Sequence, residues 1–222
     1  MSKTACIFGA TGLVGNYLAE QLLEDDRYAT VIVFVRSDIT LKHLKLKKVV
    51  GTYEQLDNYS EQLIAEEYYC CLGTTMKKAK TRDVFEYVDY QLPLKIANLA
   101  KKNNVTKYCV VSSIGASSKS SNFYLRTKGR MEEAISFTGI EYSHFFRPSL
   151  LLGERNEKRF GESMAKVFSK LFGFFMIGGL KKYRAIHGKT VAKAMIKVAN
   201  EDSNQKIFIS NEIEKLGKHT LT

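Results

Sequence analysis

Short β-branched and aromatic runs alternate along this chain with longer stretches in which apolar residues recur every three or four positions. The short runs predict strands near 4–8 (TACIF), 30–35 (TVIVFV), 47–50 (KKVV), 68–72 (YYCCL), 106–112 (TKYCVVS), 140–146 (IEYSHFF) and 206–209 (KIFI). The longer periodic stretches predict helices near 13–24, 60–66, 83–102, 121–137, 163–172 and 189–200. In 83–102, Val84, Val88, Leu92, Ile96 and Leu99 keep one face, and Pro93 is expected to bend or break the helix. Strands separated by helices of ten or more residues pair in parallel through right-handed crossovers. The fold class is therefore α/β, a doubly wound parallel sheet. No Pro-rich or Ser/Gly-rich run divides the chain, so 1–222 is read as a single domain. Ligands of such sheets bind at the carboxyl ends of the strands, where the strand order reverses. The chemistry is sought in the loops that follow each strand.

The loop after the first strand reads FGATGLVGNYL, with Gly9, Gly12 and Gly15 in a GxxGxxG pattern. The first glycine permits a tight turn, the second lets backbone approach a pyrophosphate, and the third lets the helix pack closely on the sheet. The phosphates would lie on free N–H groups of the helix amino terminus. Its context, directly after a strand and opening an amphipathic helix, predicts a Rossmann-type dinucleotide site rather than a glycine-rich turn without ligand. The second strand ends in Arg36-Ser37, a cation and a hydroxyl suited to a 2′-phosphate, so NADPH is favoured over NADH; Asp38, two residues on, pulls the other way.

The fifth strand ends in VVSSIGA, and Ser112 and Ser113 should face the cofactor crevice, one or the other pointing into it. Tyr124 follows in SSNFYLRTKGRME, with Lys128 one helical turn later on the same face. This ordering suits reduction of a carbonyl. A tyrosine, ordinarily near pKa ~10, must give up a proton, and a neighbouring ammonium makes that easier. A serine hydroxyl would hold the substrate oxygen. The alternative for Tyr124 and Lys128 is an exposed helical pair.

The glycine loop, the serine pair and Tyr-x-x-x-Lys, in that order, resemble the short-chain dehydrogenase/reductase superfamily. The strings CCLGTT, SSNFYLRTKGRMEE and FFRPSLLLGER resemble its atypical members, the Tat-interacting-protein-like NADPH-binding oxidoreductases, over nearly the whole chain. The resemblance implies that Thr11, Gly12, Leu13 and Val14 wrap the pyrophosphate and that Arg36 and Ser37 meet the adenosine phosphate. It places Leu72 and Gly73 beside the cofactor, and Leu151 and Arg159 on the segment that closes over it. It makes Tyr124 and Lys128 the catalytic pair, with Lys128 also holding the nicotinamide ribose, and it assigns about 148–190 to the substrate side. Two departures stand out: Gly51-Thr52 replaces the acidic residue common after the third strand, and CLGTT replaces the asparagine-rich turn after the fourth. The implied activity is NADPH-dependent reduction of a carbonyl or related small molecule. The alternatives are an NADPH-binding regulatory protein with little turnover and an epimerase or isomerase on the same scaffold.

Charge and composition narrow the partners. The formal net charge is +11, but its clusters (LKHLKLKK, KKAKTR, KKYR) form no continuous stripe, so nucleic-acid binding is not expected, and a solvated basic face or a site for an anionic small molecule is the better reading. Lys77, Lys78, Lys80 and Arg82, in the loop after the fourth strand, either attract such a substrate or are simply solvated. Cys6, Cys70, Cys71 and Cys109 fall in strand-like runs and should be reduced and buried, with Cys70 and Cys71 on opposite sheet faces. No zinc-like spacing appears, and no metal is expected. The apolar run 167–180 is too short to span a bilayer, leaving core, pocket wall or subunit contact, the last implying a homodimer. A protein partner is the expectation of the regulatory alternative. His144 reads as a core residue, His187 as a possible substrate contact, and His43 and His219 as surface residues. With no secretory signal ahead of the first strand, a cytoplasmic location is expected.

Overall fold

The computed structural model describes residues 2–153 and 184–218. Seven parallel strands form one sheet: β1 (Lys3–Phe8), β2 (Tyr28–Val35), β3 (Leu46–Val50), β4 (Glu67–Cys70), β5 (Lys107–Val111), β6 (Tyr142–Arg147) and, last in the sheet, β9 (Ile207–Ile209). Two short strands, β7 (Leu151–Leu152) and β8 (Ile186–His187), pair separately in parallel. The order in the large sheet is β3-β2-β1-β4-β5-β6-β9, so the winding reverses between β1 and β4. Both faces are covered, which is why the central strands are continuously apolar rather than alternating. On one face α1 (Leu13–Leu23) and α6 (Gly188–Ala199) cover Ile7, Val31, Val33 and Tyr69. On the other, α4 (Leu92–Lys102) and α5 (Phe123–Ser136) cover Cys6, Phe8, Tyr68 and Tyr108.

All seven expected strands are present to within a residue or two. Cys70 and Cys71 pack into opposite layers, and all four cysteines are free thiols. Three helical expectations need correction. The helix expected at 60–66 lies earlier, as tight turns over Tyr53–Leu63, because Tyr53, Leu56 and Leu63 supply the buried positions and Ile64 is left exposed. The helix expected over 83–102 is built from α3 (Arg82–Glu86), a π-helical turn (Tyr87–Gln91) and α4. The wide turn comes just before Pro93, whose missing N–H makes regular continuation unfavourable. Ahead of it the buried positions are Phe85 and Asp89, with Val84 exposed; the expected face holds only from Leu92 on. The third correction is of omission: α2 (Met76–Ala79) and α7 (Ser210–Lys218) had no clear periodic signal. The helix expected at 163–172, the apolar run 167–180, Arg159 and His219 lie outside the described residues.

Candidate functional site: the crevice at the strand ends

The crevice is assembled from the loops after β1, β4 and β5. Gly9 leaves β1 with φ +88°, a conformation that favours glycine, and a Cβ there would stand 2.9 Å from the carbonyl carbon of Cys71. A Cβ on Gly15 would stand 2.1 Å from the Gly9 carbonyl oxygen, so α1 can lie directly on the turn. Gly12 donates its N–H to the Gly9 carbonyl at 3.0 Å and caps α1 with no side-chain hydrogen bond. Among the described residues no side chain accepts the first-turn amides of Leu13 and Val14, and the fit to a pyrophosphate rests on this cradle and on the helix amino terminus. Thr11 is exposed on the turn, while Leu13 and Val14 are packed inward.

Arg36 and Ser37 are exposed at the end of β2. Asp38 is turned to other work: its carboxylate accepts from the Lys48 ammonium at 2.9 Å and from the Ile39 amide at 2.8 Å. Lys48 and that amide hold the Asp38 carboxyl below its ordinary pKa. Gly51, at the place of the missing acid, lies under the Tyr59 ring, 2.5 Å from where a Cβ would be.

Tyr124 and Lys128 enter the crevice on the first turns of α5, whose start is fixed by Asn122 accepting the Leu125 amide at 3.1 Å. Tyr124 is half-buried, its ring 5.5 Å from that of Phe85. Lys128 is buried, with its ammonium 2.8 Å from Asp89 Oδ1 and 3.5 Å from the Val111 carbonyl. Burial alone would lower the Lys128 pKa; the Asp89 carboxylate, and after it Tyr124, reverse the sign and hold it above its ordinary value. The other Asp89 oxygen accepts the Thr74 amide at 2.8 Å. Gly73 passes over this pair, its Cβ position 3.4 Å from Asp89 Oδ1 and 3.9 Å from the Lys128 ammonium, with Leu72 packed beside it. Leu72, Gly73 and Lys128 are therefore together, and Asp89 is the member that sequence reasoning missed. Its signal was there to be read, a carboxylate at an inward position of an amphipathic helix, but the π-helical turn hid its phase.

The two serines part company. Ser112 is buried and gives its hydroxyl to Glu132, which Arg147 grips through Nε at 3.0 and 3.2 Å. Ser113 is partly exposed, and its hydroxyl has a single long contact, 3.4 Å to the Ile114 carbonyl. Leu151 pairs with Ile186 beside α1. Gly153 and Gly188 both close on the Leu13 side chain, their Cβ positions 2.7 and 3.0 Å from it. His187 caps α6 through Nδ1, which accepts the Lys189 amide at 3.2 Å, and His144 is buried with Nδ1 2.9 Å from the Gln205 carbonyl oxygen. Among the described residues no helix is long and apolar enough to cross a membrane, and no group of three or more His, Cys, Asp or Glu could hold a metal ion.

Comparison with known proteins decides the family, because the NAD(P)H-binding family model matches residues 9–202. The chain belongs to the NAD(P)H-binding family. It is 33% identical to Protein HTATIP2 of Rattus norvegicus over 98% of this chain and 90% of that protein. It is 31% identical to the mitochondrial protein FMP52 of Candida albicans, over 90% of each. In three dimensions it resembles the UDP-glucose 4-epimerase of Thermotoga maritima, solved with UDP-glucose, with a TM-score of 0.70, 15% identity, and coverage of 97% of this chain and 81% of that one. The likeness is one of fold, a parallel sheet covered by helices on both faces. The comparisons also correct the cytoplasmic expectation: FMP52 relatives from several fungi are named as mitochondrial proteins. The lack of a secretory signal carried no information on import into that organelle, which is addressed by different signals.

Proposed function

We propose that the protein is an NADPH-dependent reductase of small carbonyl compounds, with Tyr124 as proton donor. The observation that carries this reading is Lys128, a buried ammonium held by Asp89 and Val111 one helical turn from Tyr124. Gly9, Thr11, Gly12, Leu13, Val14 and Gly15 would hold the pyrophosphate, and Arg36 and Ser37 the 2′-phosphate. Leu72, Gly73 and Leu151 would line the nicotinamide half. When bound, NADPH supplies the hydride. The Tyr124 hydroxyl passes its proton to the carbonyl oxygen, and the fixed charge of Lys128 stabilises the phenolate left behind. Ser113, whose hydroxyl is nearly free of protein partners, orients the carbonyl oxygen, while Ser112 is taken up by Glu132. Asp89 acts through Lys128 as a positioning residue. In keeping with the FMP52 relatives, we assign the protein to mitochondria.

The test is titration with NADPH and NADH, then nicotinamide absorbance against a panel of aldehydes, ketones and quinones, in wild type and Tyr124→Phe. Substrate-dependent loss of absorbance that disappears in Tyr124→Phe, with cofactor affinity kept, is the expected result. Tight NADPH binding without turnover anywhere in the panel would replace this reading with that of a cofactor-binding regulatory protein.

A further inference from the structure

Along the seam between α3 and α5, three layers of contact stack toward the solvent. The innermost is the buried Asp89–Lys128 pair. Next, Phe85 lies fully buried with its ring 5.5 Å from Tyr124 and 5.6 Å from Phe123. Outermost, the Arg82 guanidinium stands 5.1 Å from the centre of the Phe123 ring, and Arg126 approaches the same ring at 5.9 Å. Arg82 and Phe85 are three residues apart on α3, and Phe123, the residue next to Tyr124, touches both.

The two arginines differ in what they have left to offer. Arg126 is committed, donating to the carbonyls of Ser120 at 2.8 Å and Ser121 at 3.0 Å. Arg82 is exposed, and among the described residues its charge meets the Phe123 ring and no carboxylate. The nearest acid one turn along α3, Glu86, is already paired with Arg130 at 2.7 Å. Thr81 fixes the start of α3 by accepting the Val84 amide at 3.2 Å. A guanidinium stacked on an aromatic face keeps its planar fork of donors turned outward, with less freedom to lose on binding. One uncommitted fork matches one planar, singly charged acceptor.

We infer that Arg82, held over Phe123 next to Tyr124, is a recognition site for a carboxylate on the substrate, so that the preferred substrates are carbonyl compounds that also bear a carboxylate. This rests on the reductase reading of Tyr124 for its placement. A compound carrying both an aldehyde and a carboxylate would present the first to Tyr124 and the second to Arg82. Arg126 adds positive potential without giving up its backbone partners.

The experiment is calorimetric titration of 4-carboxybenzaldehyde and of 4-methylbenzaldehyde into the protein saturated with NADP+, for wild type, Arg82→Gln and Arg82→Lys. In the wild type the carboxylate should bind roughly tenfold tighter than the neutral aldehyde, the scale of one charge-assisted hydrogen-bonded pair. The ratio should fall to near one in Arg82→Gln and lie between in Arg82→Lys, with NADP+ affinity as the control for folding. Equal binding of the two aldehydes, no binding of either, or a preference that survives Arg82→Gln would overturn the inference. Should Arg82→Gln fail to hold NADP+, Arg82→Lys decides: an undiminished preference overturns the site, a diminished one supports it. Because the oxidised cofactor permits no reduction, the outcome is independent of turnover. A carboxylate preference without NADPH consumption would sink the reductase reading alone, and turnover without preference would sink this site alone.

Discussion

Asp89 and Lys128 form an ion pair 2.8 Å long between two side chains that water scarcely reaches, one from a π-helical turn and the other from the helix that carries Tyr124. Taking both charges out of water is costly, and the pair endures because each finds further partners, Asp89 at the Thr74 amide and Lys128 at the Val111 carbonyl. Asp89→Asn should therefore cost about 3 kcal/mol or more, the usual toll of stranding one member of a buried pair. With the carboxylate gone, burial is left to set the Lys128 pKa and should drive it down. Urea unfolding gives the loss directly. Lys128→Met in the same background should recover part of it, whereas strictly additive losses in the double mutant would show that the two side chains do not depend on each other.

Gly129, mid-helix beside Lys128, is a glycine for reasons of space. A Cβ there would stand 2.1 Å from the Ser117 carbonyl carbon and 2.2 Å from the Ser118 nitrogen, both backbone atoms that cannot swing away. Gly129→Ala should gain in helix propensity by up to ~1 kcal/mol and still destabilise the fold, by about 1–3 kcal/mol net. It should also displace Tyr124 and Lys128, so that carbonyl reduction falls more than NADPH affinity does. Thermal unfolding and single-turnover absorbance would check both; a stabilised variant would contradict the close approach.

Cofactor preference should reside in one side chain. Arg36→Ala is expected to weaken NADPH binding about tenfold or more, on the scale of a charge-assisted contact to phosphate, while leaving NADH nearly untouched. Asp38 should not compensate by favouring NADH, because Lys48 and the Ile39 amide already hold it. Fluorescence titration with the two dinucleotides measures the ratio, and an unchanged ratio would rule Arg36 out as the phosphate contact.

Acid should weaken the fold through His144. Burial holds its pKa below the ordinary 6.5 against the opposing pull of the Gln205 carbonyl, and the charge of Lys107 adds a lesser push in the same direction as burial. The unfolded chain thus takes up a proton as pH falls through about 6.5, while the folded chain takes it up only lower down. Stability from this group is fully present above pH 6.5 and declines below it, until the folded-state pKa is reached. His144→Gln should flatten that part of the stability-against-pH curve, seen in urea midpoints between pH 7 and 5. An equally steep curve in the variant would assign the acid sensitivity to other groups.

The order and type of the principal elements, the parallel winding and the place of the crevice could be read from the chain alone. Those properties follow from local rules: apolar period, glycine spacing and strand-helix alternation are written in neighbouring residues. The chain also brought Gly9, Gly12, Gly15, Ser112, Ser113, Tyr124 and Lys128 into view, because each belongs to a short motif with a fixed offset from a strand end. What lies opposite these residues emerges only when the chain is folded. Asp89 reaches Lys128 across 39 positions of chain, with a π-helical turn shifting the helix phase ahead of Pro93. Ser112 is withdrawn from the crevice by Glu132, which Arg147 holds from the next strand. Arg82, at the start of α3, stands over Phe123 of α5. In each case the deciding interaction joins segments distant in sequence, through charge and contact geometry that no local period encodes.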